Sequence, residues 1–566
     1  MILSAVSLWK KFNLENPLGA SEWGIEEKDG VRYSHVSFSG NAAPDGRVRV
    51  YARFGRPVGE EKKPCILLIP DAGKALDMEL MEYFIQKGYA VLMPDYSGKM
   101  STDLEGVMRT IYPASLEYGN YEKARGLSSV KGLEVDETSW FEWTYVALYA
   151  VKYLKSREDV GNIGVVGIRK GGEIAWQVML SPDVKCGIPI NAAGWRSFLN
   201  IAKFGDNIAH DLSDDRHRYI AAVEAQSYAP YVKCPVLMLC ALRDAEFDCD
   251  RAYDTYSRIG SSDGNALAYS PESGDCIGPY GLADMDLFLE RNLKGREIYI
   301  PDTLNISLKE VGAGLEIAVE CDREGILEEA GIFYAEADVK TRSTFREWRC
   351  IHKIDGRSVK NGKVTCCVHP FEGAKAVFAY AYAKYINGFR IMSKITCKRL
   401  SNPNASAVKS RMLFSGKELD CFGVAKHEEY SIGGIFLERE AIPKSVKGYG
   451  NIQGAYSMSG IRTYKISSPK YIPDENALLE FDVYSATTQQ LEVAIEVADA
   501  ERAKERYTCI VDVRGGGKWK RMILSAADFK GEISGKPLQN FFDGSALSFG
   551  CAGEEMEFAI TNILWL

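Results

Sequence analysis

The 566-residue chain is poor in histidine, with six in all: His35, His210, His217, His352, His369 and His427. None joins Asp, Glu or Cys at a metal-ligating spacing, so no metal centre is legible. Fourteen cysteines run from Cys65 to Cys551, yet none forms a C-x-x-C knuckle, and Cys366 and Cys367 are adjacent. Buried, reduced thiols in a cytoplasmic protein are the expectation. There is no basic excess. The net charge of -8 argues against a nucleic-acid or anionic-membrane partner and suits a neutral small-molecule or oligosaccharide substrate. No run of 18 apolar residues exists, so no membrane span is predicted. The opening MILSAVSL lacks a preceding basic region and a small-residue cleavage site, and reads as a mature start. Internal repeats and low-complexity tracts are also missing.

What is present is ordinary globular sequence, 46% hydrophobic and 26% charged, long enough for roughly three to four domains. Alternating runs around Tyr33–Phe38 and Arg47–Phe54 predict two antiparallel strands. Cys65–Pro70 and the run from Tyr89 are continuous apolar stretches, as expected of strands buried on both faces. Helical patterns over residues 78–88, 140–155 and 282–295 alternate with further strands at 163–166, 183–190, 234–244 and 266–275. Strands and helices alternating in this way predict a mostly parallel sheet wrapped by helices, over residues 1–298. Its active site would lie at the carboxyl ends of the strands, which carry Asp71, Asp95, Arg169, Trp195, Asp244 and Asp275.

Near Pro301 the helical period stops. Seven short strand-like runs over residues 299–400 predict a β-sandwich, with RIMSKITCKRL as its last strand. A polar linker, Ser401–Ser410, leads into a second all-β region over residues 401–566.

The most informative stretch is Ile163–Gly172, IGVVGIRKGG. A short buried strand passes through a glycine-pinched turn into a helix. That is the setting of the nucleophile elbow, G-x-S-x-G. The spacing Gly167-Ile168-Arg169-Lys170-Gly171 fits, but Arg169 stands where the serine belongs. A guanidinium stays protonated and cannot act as a serine-like nucleophile.

Together with ILLIPDAG, YAVLMPDYSG, IPINAAGW and CPVLMLCALRD, this elbow resembles the acetyl-xylan-esterase and dienelactone-hydrolase branch of the α/β-hydrolases. The segment with LLEFDVYS, Trp519, Leu524, Asp528, Phe529 and the terminal ILWL resembles jelly-roll carbohydrate-binding modules. The middle sandwich resembles the Ig-like spacers of multidomain carbohydrate enzymes. The expected architecture is thus an α/β-hydrolase domain, an Ig-like sandwich and a jelly roll. No cofactor is expected, although the resemblance leaves room for a structural calcium in the jelly roll.

The resemblance implies a Ser-His-Asp triad, and the sequence departs from it three times. Arg169 replaces the serine. Asp244 matches the acid, but the loop after the last strand, Pro271–Gly281, has Asp275 or Cys276 where the family has its histidine. Pro70-Asp71-Ala72-Gly73 puts a carboxylate into the oxyanion loop. Two readings follow. In one, Arg169 pairs with Asp71, Asp244 or Asp275 and fills a retired site, leaving a glycan-binding or scaffold protein. In the other, Arg169 and Lys170 bind a charged group on a sugar derivative while Asp71, Asp244 or Asp275 does acid/base work. A third option keeps a conventional esterase with a relocated nucleophile, Ser97 or Cys276, and His210 or His217 as base. Trp195 and Tyr96 are candidates for an aromatic wall. Trp140, Trp143, Trp519 and Trp565 read as core, and Glu173 as an acid in the first turn of its helix.

Overall fold

The computed structural model describes the chain apart from residues 1–3, 99–107, 200, 206–212, 243, 245, 247, 262, 271–276, 313, 323–324, 372–373, 402–408, 418, 426–430, 433–434, 437–442, 498–504 and 552–557. Among the described residues the first module contains nine strands: β1 (Ser21–Lys28), β2 (Val31–Ala43), β3 (Gly46–Pro57), β4 (Lys63–Ile69), β5 (Ala90–Pro94), β6 (Val160–Ile168), β7 (Val184–Ile190), β8 (Leu237–Ala241) and β9 (Ala266–Ser270). They form one sheet in the order β1-β2-β3-β5-β4-β6-β7-β8-β9. The first three strands pair antiparallel and β3 joins β5 antiparallel, while every pairing from β5 to β9 is parallel. Among the described residues eight α-helices accompany them: α1 (Ala5–Trp9), α2 (Met78–Gln86), α3 (Ser139–Ser156), α4 (Lys170–Val178), α5 (Asp214–Val223), α6 (Ala225–Tyr228), α7 (Ala252–Tyr256) and α8 (Pro279–Lys294).

Local chemistry accounts for these elements. Cys65 to Ile69 of β4 and Ile163 to Ile168 of β6 are buried without a break, as parallel strands covered on both faces must be. Asp77 caps α2 by accepting the Leu80 N–H at 3.0 Å, and the Thr138 hydroxyl accepts the Phe141 N–H at the start of α3. Trp140 and Trp143 on α3 are core residues, as expected. The parallel register then fixes the site. Ile69 pairs with Gly167, Ile168 with Ile190, and Ala241 with Ser270, so the residues just beyond these ends gather along one edge.

The second module is all-β. It holds β10 (Asn305–Val311), β11 (Gly314–Glu320), β12 (Leu327–Ala337), β13 (Arg349–Asp355), β14 (Lys363–Val368), β15 (Ala376–Tyr385), β16 (Arg390–Met392) and β17 (Thr396–Arg399). One sheet is β10-β11-β14; the other is β13-β12-β15-β16, with β17 also on β15. The run expected as one last strand is therefore two. Ser393 ends β16 by giving its N–H to Ala381 and its hydroxyl oxygen to the Ala381 N–H, and β17 restarts on the other half of β15.

The third module is also all-β, built among the described residues on two sheets of six strands and one of two. Trp565 is buried there as expected. Trp519 is not core. It lies half-exposed on the strand Lys518–Leu524, its ring 5.5 Å from Tyr484 and its indole N–H on the Tyr449 carbonyl at 3.0 Å.

The hydrophobic core of the first module runs without interruption into the second, from Ala5 to Ile395, while the third has its own, from Leu413 to Trp565. Every described cysteine is a free thiol. Among the described residues no helix is long and apolar enough to cross a membrane, and no group of three or more His, Cys, Asp or Glu could hold a metal ion.

Candidate active site

The elbow is built as its sequence pattern demands. Arg169, between β6 and α4, has φ 51° and ψ -111°, a conformation that side-chain-bearing residues rarely adopt. Its N–H donates to the Ile190 carbonyl at 2.9 Å, tying the turn to β7. The flanking glycines are obligatory. A Cβ on Gly171 would lie 2.2 Å from the Ile69 oxygen, and one on Gly167 would lie 2.3 Å from the Gly171 oxygen.

The guanidinium of Arg169 is taken up by acids. Nη2 lies 3.0 Å from Asp244 Oδ2 and Nη1 lies 4.0 Å from Glu246 Oε2. Asp244, just past β8, is 2% exposed, against 22% for the Arg169 side chain. Its second oxygen, Oδ1, accepts the Glu246 N–H at 2.8 Å, and its backbone carbonyl accepts the hydroxyl of Thr344 at 3.0 Å. A carboxylate this buried is stable only with such partners.

The second pair closes the oxyanion side. In elbows of this kind the N–H of the residue after the nucleophile and an N–H from the loop after a neighbouring strand converge on the developing oxyanion. The corresponding N–H groups here are those of Lys170 and Ala72. They donate to one oxygen, Asp71 Oδ1, at 3.2 and 2.9 Å. The Lys170 ammonium stands 3.8 Å from the same oxygen. Both N–H groups are thus taken up by an internal carboxylate.

Other residues singled out by sequence fall as follows. Tyr96 is buried beneath the loop, its hydroxyl on the Pro70 carbonyl at 2.9 Å and its ring edge-on to Trp143, so it offers no face to a ligand. Asp95 is buried and accepts the Thr110 N–H. Trp195 is half-buried with a left-handed backbone; its indole N–H reaches Thr255 Oγ1 at 2.9 Å and Arg258 lies 5.0 Å over its ring. The buried Ser97 Oγ accepts the Gly73 N–H at 3.1 Å, bracing the oxyanion loop. His217 stands exposed on α5. Asp275, Cys276 and His210 lie outside the described residues.

Sequence reading did not anticipate Glu246, Glu224 or Thr344 as partners, nor the burial of Glu173. Glu173 lies in the first turn of α4, as expected, but it is buried there, and its carboxylate accepts the N–H groups of Gly194 at 3.1 Å and Ala225 at 3.2 Å. Burial pushes it up to about 7, with Arg196 opposing and the like charge of Glu224 adding. Glu224, fully buried, accepts the Trp195 N–H and both donors of Ser197. Their acidic character in a helical stretch carried no signal of burial. Thr344 belongs to another module a hundred positions away, beyond any local pattern.

Residues 50–264 match the model of the dienelactone hydrolase family. The N-terminal module is α/β-hydrolase-like. Among solved structures the chain is similar to an acetyl xylan esterase from a Paenibacillus species, at 16% identity over 51% of this chain and 92% of that one, with a TM-score of 0.38. It is similar to acetyl xylan esterase 1 from a Thermoanaerobacterium species, at 15% identity over 50% and 92%, also with a TM-score of 0.38. A third likeness is to the acylaminoacyl peptidase of Pyrococcus horikoshii, at 16% identity over 49% and 51%, with a TM-score of 0.34. No curated protein sequence matches the chain.

Proposed function

We propose that this is a carbohydrate-esterase-like α/β-hydrolase in which serine acyl transfer has been lost from the elbow, and whose pocket now serves recognition of a sugar derivative. The observation that carries this reading is the Asp71 carboxylate, held by the N–H groups of Lys170 and Ala72. An ester hydrolysed through an elbow needs a nucleophile, a base and two donors aimed at the oxyanion. Position 169 supplies a cation. The donors already serve an anion, and a second negative charge developing beside it would be repelled. Losing one such donor alone costs a serine hydrolase about 10²–10³ in rate. The dienelactone hydrolase match supports the esterase ancestry. A ligand carbonyl or anionic substituent would reach Arg169 by competing with Asp244, so affinity would depend on how firmly that pair is held.

The test is hydrolysis of p-nitrophenyl acetate and of acetylated xylo-oligosaccharide by the wild type, Arg169→Ser and Arg169→Ala. No turnover above background in any of the three is expected. Wild-type turnover that disappears in Arg169→Ala would overturn the reading in favour of an enzyme with an altered site centred on Arg169 and Asp244. Labelling of the wild type by a fluorophosphonate would favour a relocated serine.

A further inference from the structure

The acid of the site is held from outside its own module. We infer that residues 342–348, in the second module, are a built part of the site, with Thr344 the positioning residue for Asp244. This rests on the reading above in one respect: it takes the Arg169–Asp244 pair as the centre of the pocket.

The segment contains a short 3-10 turn, Ser343–Phe345, between β12 and β13. The Thr344 side chain is buried, and its hydroxyl donates to the Asp244 carbonyl oxygen at 3.0 Å. A carbonyl held there fixes the peptide from which the Asp244 carboxylate projects toward Arg169. Two residues on, Arg346 forms a two-pronged pair with Asp250, at 2.6 and 2.8 Å. Asp250 follows Asp244 on the way to α7, so the second module grips the chain at two points on one side of the site. Both partners are nearly sealed from water, 1% and 5% exposed, and the guanidinium lies 3.5 Å over the Phe378 ring. Such a pair is a poor source of net stability but a strong source of fixed geometry, because each partner is costly to leave alone. The segment is itself held: the Trp348 indole N–H donates to the Ser343 carbonyl at 3.2 Å, and Ser467 of the third module donates to the Phe345 carbonyl at 2.6 Å. All three modules therefore meet at the residues that set Asp244.

A single hydroxyl, that of Thr344, holds the Asp244 carbonyl across the boundary, so no ligand is needed to test its role. Thr344→Val keeps the shape and removes the donor; Thr344→Ser keeps the donor. Hydrogen exchange followed by mass spectrometry on the full chain reads the Glu246 amide, which donates to Asp244 Oδ1. In Thr344→Val, exchange in the peptide spanning Asp244 and Glu246 should rise about tenfold or more, the opening expected for a lost buried hydrogen bond. Thr344→Ser should stay at the wild-type rate, and strands β10 and β11 should be unchanged in both. As a second handle, Arg346→Lys keeps the charge but loses the two-pronged geometry, and should loosen the peptide containing Asp250. Wild-type exchange in Thr344→Val, or equal loosening in Thr344→Val and Thr344→Ser, would overturn the inference. Neither outcome depends on turnover, so this result and the ester assay can fail separately.

Discussion

At the scale of single residues, the proposed loss of acyl transfer rests on where the charges of the site are spent. A catalytic elbow keeps its polar groups waiting for substrate; here Asp71 and Asp244 are each satisfied within the protein. The Arg169–Asp244 pair predicts a distinctive stability pattern. Arg169→Met should destabilise the fold by about 3 kcal/mol, because it leaves a carboxylate that is 2% exposed without its cation. The double change Arg169→Met with Asp244→Leu should recover most of that loss, since two apolar groups leave no charge to compensate. Urea midpoints of the single and double variants measure this. Additive losses would mean that the two side chains do not depend on each other.

At the scale of elements, β4, β5 and β6 were legible because burial on both faces writes a continuous apolar run, and the elbow because only glycine fits its contacts. β1 was not legible: its residues are almost all solvent-facing at the sheet edge, which leaves no alternation to detect. The burial of Glu173 was hidden for the opposite reason, since its partners are backbone N–H groups that any sequence supplies. The pairing of α8 with β16 was invisible for lack of local pattern, and it carries a pH dependence. Asp284 on α8 is buried, accepts the Arg390 N–H at 2.8 Å, and burial pushes it up to about 8. Its unfolded value is near 4. Between those values the folded state holds a proton that the unfolded chain has released, so stability falls as pH rises from about 4 to 8. Glu142 and Glu173, each pushed up to about 7, add to the same trend. Asp284→Asn should retain the acceptor without the charge. It should therefore be more stable than wild type at pH 8 and show a shallower decline from pH 5 to 8 in urea melts; an unchanged slope would place the dependence elsewhere.

At the scale of the molecule, the two cores divide the chain differently from its three sequence regions. Strand β9 is one of the two edges of the large sheet, and an uncovered edge invites association. The second module covers it: the Met392 sulfur receives the Tyr269 N–H at 3.0 Å, and the Tyr269 and Tyr380 rings meet edge-on at 5.4 Å. Arg346–Asp250 and Arg390–Asp284 bridge the same boundary. The third module, by contrast, closes its core without them. Among the described residues it is linked to the second module by polar contacts, Ser467 to Phe345 and Arg349 to the Tyr471 hydroxyl. Cooperative units follow continuous cores rather than sequence boundaries. Calorimetry of the full chain should therefore show two transitions, one for residues 4–400 and one for residues 409–566. A 409–566 fragment should reproduce the second transition within a few degrees. A 1–298 fragment, with β9 bare and Asp250 unpaired, should associate or melt well below the first transition, whereas a 1–400 fragment should retain it. A monomeric 1–298 fragment melting with the full chain would mean that the first module closes on its own, and that the grip on Asp244 and Asp250 is incidental to its fold.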